Sequence, residues 1–507
     1  MTYLSDKRTL WKVIAASSVG TLIEWYDFYI FGSLAIILSE QFFPKTNPTA
    51  AFLSTLATFA AGFIVRPFGA LVFGRLGDVV GRKYTFLVTL TLMGASTFAI
   101  GLVPGYESIG VAAPLLVLVL RLVQGLALGG EYGGAATYVA EYAPAAKRGF
   151  YTSFIQTTAT LGLFVSIGVI LIVRESIVID AFNDWGWRIP FLLSSILVAI
   201  SIYIRMKMKE SPLFAKIKAE GKLSKNPIKE SFTKKENLTL VLLALFGATA
   251  GQGVVWYTGQ FYALSFIQKT CNIEFVQSNH IIAIALLIGT PLFIYFGWWS
   301  DKVGRKMIMM AGMLLAVILY RPIYGKMHEL SDLSAKTEIS DKRVATNSIR
   351  VDDDHGDTLR TVSLVRFFED GYQVSESHKE TLSGVVVESR KQILLNEESK
   401  WTMILLVTMQ VVFVTMVYGP IAAFLVEIFP TRIRYTSMSL PYHIGNGIFG
   451  GLTPFIATSL YELSRSPSNP DGDPFAGLLY PMGVAAVSFI IGMIFLPNRL
   501  KGEVLED

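Results

Sequence analysis

GRLGDVVGRK (Gly74–Lys83) and GWWSDKVGRK (Gly297–Lys306) are one short pattern met twice. Each has a glycine, an aspartate four residues on, and then Gly-Arg-Lys. A second pair recurs in the same order. EYAPAAKR (Glu141–Arg148) and EIFPTRIR (Glu427–Arg434) each have glutamate, proline at the third position after it and arginine at the seventh. Paired motifs in matching order mark an internal repeat. Gly74 to Glu141 is 67 residues and Gly297 to Glu427 is 130, an excess of 63 in the second half. One polar stretch, about 326–400, is close to that size, so it reads as an insertion between the third and fourth helices of the second repeat.

Between the motifs the chain is apolar. Of 507 residues, 52% are hydrophobic and only 16% charged, and the mean hydropathy is +0.49. A soluble protein of this length needs more polar surface. The apolar residues come in long blocks, and Pro474–Pro497 carries no charge at all. Runs of about 18 residues cross a hydrocarbon core, which excludes secreted all-β and soluble α/β folds. Twelve spans are expected near 11–36, 51–75, 84–103, 112–140, 151–173, 187–206, 237–268, 279–299, 306–325, 402–428, 433–461 and 475–497. Each must be helical, because a lone strand in lipid leaves its backbone groups unpaired. The first span follows Lys7 and Arg8 but holds Glu24 and Asp27 and is too long for a signal peptide, so it reads as a retained span.

Charge placement sets the orientation. The segment Arg205–Glu236 has ten Lys or Arg against four Glu, and the two Gly-Arg-Lys loops are basic too. All fall on one side, which the positive-inside rule makes cytoplasmic, with both termini there. The 326–400 insertion is acidic on balance and then lies outside the cytoplasm. Its middle, around Asp352–Asp357, reads as disordered. Val385–Val387 and Ile393–Leu395 are apolar patches that suit packing, short strands or a helix. It carries His328, His355 and His378, but no ligand spacing, so no metal site is expected. The single cysteine, Cys271, excludes an intramolecular disulfide. No phosphate-binding loop of Walker type is present, so neither ATP drive nor an enzyme is supported, and no cofactor or nucleic-acid partner is implied.

The Gly-x-x-x-Asp-x-x-Gly-Arg-Lys loops resemble the signature of the major facilitator superfamily. GTLIEWYDFYIFG (Gly20–Gly32), RPFGALVFGRLGD (Arg66–Asp78), RLVQGLALGGEYGGAATYVAEYAPAAKRG (Arg121–Gly149) and YGPIAAFLVEIFPTRIRYTSMSLPYHIGNGIFGG (Tyr418–Gly451) more narrowly resemble its metabolite:proton symporter family. That family includes transporters of α-ketoglutarate, citrate, shikimate and proline/betaine. The resemblance implies an all-α polytopic protein of about twelve helices in two six-helix bundles. The first would be 1–206, a basic linker 207–236, and the second 237–507. It implies a monomeric bacterial inner-membrane transporter whose partners are a small-molecule substrate, protons and the lipid bilayer.

Ionisable groups within the spans usually mark a pathway or a pair, because lipid penalises them. The first half holds Glu24, Asp27, Arg66, Arg121 and Glu131. Glu24 and Asp27 sit three apart on one helix face, the chemistry of a proton carrier. By the helical rise, Arg66 stands about 18 Å above Asp78, Arg121 about 14 Å deep, and Asp27 about 22 Å up. An Asp27–Arg121 pair is therefore expected, in which protonation of Asp27 frees Arg121 for an anionic substrate group, or the pair merely fixes packing. In related proton symporters a first-helix Asp and a fourth-helix Arg are implicated in coupling. Arg66 would hold a substrate carboxylate or pair with Glu24. Glu131 is an inner-gate or packing partner. Gly125, Gly129, Gly130, Gly133 and Gly134 give small-residue spacing suited to close helix packing.

The second half is nearly uncharged in its spans. Gln252, Trp256, Tyr257 and Gln260, with Tyr442, His443 and Asn446, suit a substrate wall, to which Tyr26 of the first helix is added. Trp256 and Tyr257 are alternatively interfacial anchors. His443 reads as a hydrogen-bonded structural histidine, with titration the other reading. Asp78, Arg82, Asp301 and Arg305 lie at the membrane surface and read as gates bridging the bundles by charge and helix-dipole contacts. Glu141, Arg148, Glu427 and Arg434 join the same network. The function expected is proton-coupled symport of a small organic acid or zwitterionic osmolyte. A non-transporting sensor using the insertion, or a proton-driven exporter, are the other readings.

Overall fold

The computed structural model describes residues 7–79, 82–130, 132–206, 227–351, 358–381, 386–429, 433–470 and 472–497. Among these, nine helices are long and apolar enough to cross a bilayer, and ten with the bent first one. We number twelve in chain order. α1 is Lys7–Ser33 and bends by 63° into Ala35–Phe42. α2 is Pro48–Ile64 continued by Arg66–Val79, and α3 is Arg82–Leu102. α4 is Ala112–Tyr142, α5 Arg148–Ser176 and α6 Ile189–Met206. α7 is Lys235–Thr270, α8 Phe275–Val303 and α9 Arg305–Glu329. α10 is Glu397–Ile428. α11 is Arg434–His443 with Ile444–Gly450 and Thr453–Leu463, and α12 is Leu479–Phe495.

Proline sets several of the breaks. Pro67, Pro291 and Pro420 follow the interruptions of α2, α8 and α10. Each lacks the N–H that a continuous helix would give to the carbonyl four residues earlier. α7 and α11 instead contain wide π-type turns, Thr258–Tyr262 and Ile444–Gly450 among them. Such turns insert a residue and re-aim the side chains around them. The carriers of the expected wall, Gln260 and Asn446, sit in these two turns.

α1 packs on α5 and α6, α3 on α4 and α6, and α2 on α4. In the second half α7 packs on α11 and α12, and α10 on α8 and α9. The halves meet along two seams, α5 against α8 and α2 against α11. Within the first half, a methyl on Gly125 would stand 1.8 Å from the Gly62 carbonyl, and one on Gly129 would stand 2.1 Å from that of Arg66. Only glycine lets α2 and α4 touch backbone to backbone, the small-residue packing expected for α4.

The insertion takes the strand form that its apolar patches allowed. β1 (Val344–Val351), β2 (Thr358–Phe367), β3 (Gln373–Thr381) and β4 (Val386–Leu394) form one antiparallel sheet in that order. The Asp352–Asp357 run lies outside the described residues. The strands are polar along much of their length, which hid them. Their order comes from the backbone ladder, from cross-strand pairs such as Arg366–Glu376 at 2.6 Å, and from one docked end. There Phe368, Tyr372, Val374, Ile393 and Leu395 are buried. The Ile393 amide donates to the Asn272 carbonyl at 2.7 Å and its carbonyl accepts from Glu274 at 2.9 Å. Gln277 of α8 acts like one more strand residue. Its amide nitrogen donates to the Leu395 carbonyl at 2.9 Å, and its oxygen accepts the Leu395 N–H at 2.8 Å.

Losing both Gln277 bonds removes about 1–3 kcal/mol from a part-buried joint. Gln277→Ala is therefore expected to leave global melting nearly unchanged while lowering hydrogen-exchange protection at Ile393 and Leu395. Protection equal to that of the parent protein would show that the sheet docks without this joint.

Candidate substrate site and gate

Arg66 opens the second segment of α2, directly after the break before Pro67, and is fully buried. Its guanidinium carbon lies 4.0 Å from the Phe63 ring centre, 4.4 Å from that of Phe28 and 5.3 Å from that of Trp25. None of its three nitrogens has a hydrogen-bond partner among the described residues. Arg121 of α4 is equally buried and lies 4.1 Å from the same Phe28 ring. It donates to the Phe28 carbonyl at 3.3 Å, to the Phe59 carbonyl at 3.2 Å and to the Gln124 side chain at 2.8 Å. Its Nε is unpartnered. Ring faces return about 0.5–2 kcal/mol per cation, less than the several kcal/mol a buried ion costs without a counter-charge.

The expected Asp27–Arg121 pair is not formed. Asp27 is fully buried, and neither carboxylate oxygen has a hydrogen bond of good geometry among the described residues. It lies beside Ser194 of α6. Successive residues are about 100° apart around a helix. With Phe28 turned to α2 and α4, Asp27 faces α6 instead. The Arg66–Glu24 pair is likewise not formed, although Glu24 is also fully buried. Tyr26 is corrected too: its hydroxyl donates to the Pro190 carbonyl at 2.9 Å and ties α1 to the start of α6. Glu131 lies outside the described residues.

The second bundle supplies the facing wall. Gln252 and Asn446 exchange amide hydrogen bonds of 3.0 and 2.9 Å, which lock α7 to α11. Trp256 and Tyr257 are interior residues, not interfacial anchors. Trp256 stacks on Tyr29 at 5.4 Å, and Tyr257 packs edge-on against Phe63 at 5.1 Å. Gln260 reaches Thr160 of α5 at 3.4 Å with its nitrogen and leaves its oxygen unpartnered. Tyr442 bonds Tyr418 at 2.6 Å and stacks on Tyr132 of α4. His443 is buried beside the Gly129 backbone, with no hydrogen bond of good geometry to either ring nitrogen among the described residues. Arg66 stands within electrostatic reach of Tyr29, Tyr257, Tyr418, Tyr442 and His443.

At the end bearing the repeated loops, the α5–α8 seam closes on two glycines. A methyl on Gly149 would meet the Gly297 carbonyl at 2.5 Å, and one on Gly297 would meet the Gly149 carbonyl at 2.7 Å. This approach lets Asp301 of the second half accept the first free amides of α5, Gly149 at 2.9 Å and Phe150 at 2.8 Å. A carboxylate at a helix N-terminus satisfies orphan donors and the helix dipole together. Arg305 holds Asp301 at 2.6 Å and Glu427 at 3.1 Å, and Arg148 reaches Glu427 at 3.6 Å. The cluster thus joins α5 to α8, α9 and α10. Arg434 is buried and donates to the Phe429 carbonyl of its own half at 3.2 Å. Glu141 is half-buried at the end of α4. The side chains of Asp78 and Arg82 lie outside the described residues.

Comparison with known proteins agrees with this architecture. The family description "Sugar (and other) transporter" matches residues 12–241. An inner membrane metabolite transport protein of Escherichia coli (strain K12), YhjE, is 32% identical over 89% of this chain and 87% of its own length. The alpha-ketoglutarate permease of that strain is 28% identical over 99% and 97%, and its proline/betaine transporter 30% identical over 98% and 86%. Among solved structures, the proton:xylose symporter XylE with a bound bromodeoxyglucose superposes with a TM-score of 0.69 at 16% identity, covering 97% of both chains. The chain belongs to the major facilitator superfamily.

It is therefore a multi-pass membrane transporter of small molecules rather than an enzyme. For a transporter of this fold, both ends of the bundle interface matter. At the insertion end, Arg390 of β4 pairs with Glu40 of the bent end of α1 at 3.0 Å. Lys269 of α7 sits over Phe52 of α2 at 4.6 Å. The sheet inserted in the second half is thus fastened to the first.

Tyr29, Phe28, Tyr132, Gln156 and Tyr418 join the central region without having been expected there. Gln156 donates to the Tyr132 hydroxyl at 2.6 Å and leaves its own oxygen free. Trp25, Phe28 and Tyr29 fall at three- and four-residue spacing in EWYDFY, a readable stripe on α1.

Gly297→Ala is expected to push α5 from α8 at the gate. Spin labels at the exposed positions Ala146 and Val303 would then report a longer, broader distance distribution in nanodiscs. A distribution matching the parent protein would show that closure does not need the glycine contact.

Proposed function

We propose that the protein is a proton-coupled symporter of a small organic acid or zwitterionic osmolyte, working by alternating access. The carrying observation is that Asp27, Arg66 and Arg121 are all fully buried and none is ion-paired with another. Groups so costly are rarely kept in a membrane interior without a task. Arg66 lies within electrostatic reach of second-bundle tyrosines and Arg121 shares its Phe28 ring, so a substrate anion between the bundles would supply counter-charge to Arg66 first. Asp27, one helix face away beside Ser194, is the proton-exchanging group.

Coupling then runs through α1 rather than through a direct ion pair. Phe28 follows Asp27 and gives both its carbonyl and its ring face to Arg121. A change of charge at Asp27 alters how α1 sits against α6, and so moves the ring that the two arginines share. The Asp301–Arg305–Glu427 cluster forms when the bundles close at the loop end and breaks when they part there. In this reading the basic loop end is cytoplasmic, as are both termini. The protein sits as a monomer in a bacterial inner membrane, and the sheet lies outside the cytoplasm.

The test is uptake into proteoliposomes with an imposed pH gradient, with and without an uncoupler. Asp27→Asn is expected to abolish gradient-driven accumulation while leaving substrate exchange at equal pH intact. Undiminished accumulation in that variant would refute the assignment of Asp27.

A further inference from the structure

We infer that the proton travels between Asp27 and the loop end along the seam of α1 and α6, inside the first bundle, past Ser194 and Ser201, with Ile23, Leu90 and Val198 as the dry barrier of that route. The inference rests on the reading of Asp27 as the proton-exchanging group. It gives proton and substrate separate paths, the seam for one and the bundle interface for the other.

Three contacts fix the register of the seam. The Tyr26 hydroxyl meets the Pro190 carbonyl at 2.9 Å, Asp27 lies beside Ser194, and Ile23 packs with Val198. Residue numbers fall along α1 as they rise along α6, so the two helices run antiparallel. The inward face of α6 carries Ser194, Val198 and Ser201, all buried. Ile196, Ile200 and Tyr203 are exposed on its other side. By the helical rise, Ser201 stands about 10 Å from Ser194 and about 8 Å from the end of α6 at Met206.

The two hydroxyls are unlike their neighbours. A buried serine or threonine in a helix commonly donates to a carbonyl of the preceding turn. Thr21, Thr97 and Ser166 do so here, at 2.9, 3.0 and 2.7 Å. Neither Ser194 nor Ser201 has a hydrogen bond of good geometry among the described residues. A hydroxyl accepts a proton on a lone pair as it donates its own, so it relays the proton and is left unchanged. Water from the loop end bridges the remaining distance once the barrier parts. No fixed ion on the packed helices traps the proton. α3 from Tyr84 to Leu102, α5 from Gly149 to Val173 and α6 from Ile189 to Ile204 carry no charged residue. Glu24 and Tyr26 of α1 itself are the titratable neighbours, and Arg66 and Arg121 stand on the Phe28 side.

Between the two serines the seam is apolar. Ile23, Leu90 and Val198 form one buried cluster. A methyl on Gly94 of α3 would stand 2.2 Å from the Val198 side chain, so α3 closes tightly on it. Such a barrier holds protons back while α1 is seated against α6, and a shift of α1 opens it.

The test needs no substrate. The whole protein would be placed in proteoliposomes with a trapped pH dye, a pH gradient imposed and the membrane potential clamped with potassium and an ionophore. With the barrier breached, a proton taken up at Asp27 when the insertion end parts leaves at the loop end. Val198→Ser places a hydroxyl one turn from each serine and is expected to raise proton flux about tenfold, the effect of one added hydrogen-bonding group in a dry segment. Ile23→Ser, made from the α1 side, should do the same, so the test stands if one of the two fails to fold. Adding Ser201→Ala removes a hydroxyl but keeps the small volume, and should return the Val198→Ser flux most of the way to that of the parent protein. A serine that serves packing alone would not show this. Val407→Ser, at an equally buried site of α10 in the second bundle, should leave the flux unchanged. No rise in a folded barrier variant, an equal rise in Val407→Ser, or a Val198→Ser flux that Ser201→Ala leaves undiminished would each overturn the route. Asp27 is judged separately, by gradient-driven accumulation with the barrier intact, so the route and the carrier can fail independently.

Discussion

A guanidinium buried without a carboxylate costs several kcal/mol, and this protein holds two, Arg66 and Arg121, around the single ring of Phe28. Much of the first bundle is arranged to bear that cost. The glycine contacts of α2 with α4 bring the backbones close enough for Phe59 to offer its carbonyl to Arg121. Gln124 accepts another Arg121 N–H and passes its own to Thr97 of α3. Among the described residues Arg66 has no such help and rests on ring faces. Of the two, Arg66 is the one that stands within electrostatic reach of second-bundle side chains, Tyr257, Tyr418 and Tyr442.

The two ends of that seam are closed by different physics. At the loop end, the backbones of Gly149 and Gly297 touch, and Asp301 caps α5 across the interface. Charged side chains and a helix end carry much of that contact. At the other end the fastening is looser. One ion pair, Arg390–Glu40, joins the inserted sheet to α1, and half-exposed pairs of this kind contribute little. The sheet is held far more firmly to its own half, through Ile393, Leu395 and the Gln277 joint.

The repeated loops, the apolar runs and the 63-residue excess of the second half sufficed to place the helices, the pairing of the halves and the site of the insertion. Arg66 and Arg121 were legible as buried because the helical rise alone puts them far from either surface. The directions in which side chains point were not. Glu24 and Asp27 mark a face of α1 but not the neighbour that this face meets, and Asp27 faces α6 where Arg121 was expected. Tyr26 was misplaced for the same reason. The strands of the insertion were hidden because polar strands earn their order from neighbours that a linear reading cannot see.

The sequence by itself determined what the solvent imposes. A bilayer demands internally bonded helices of a minimum length, and run length is written in the chain. Tertiary structure alone decided which groups meet. Phe28 lies between two arginines, Tyr132 stacks on Tyr442, and Gly149 meets Gly297, because helix rotation and bundle docking bring together residues 93, 310 and 148 positions or fewer apart in the chain. Those angles follow from packing summed over many contacts, and no local pattern records the sum.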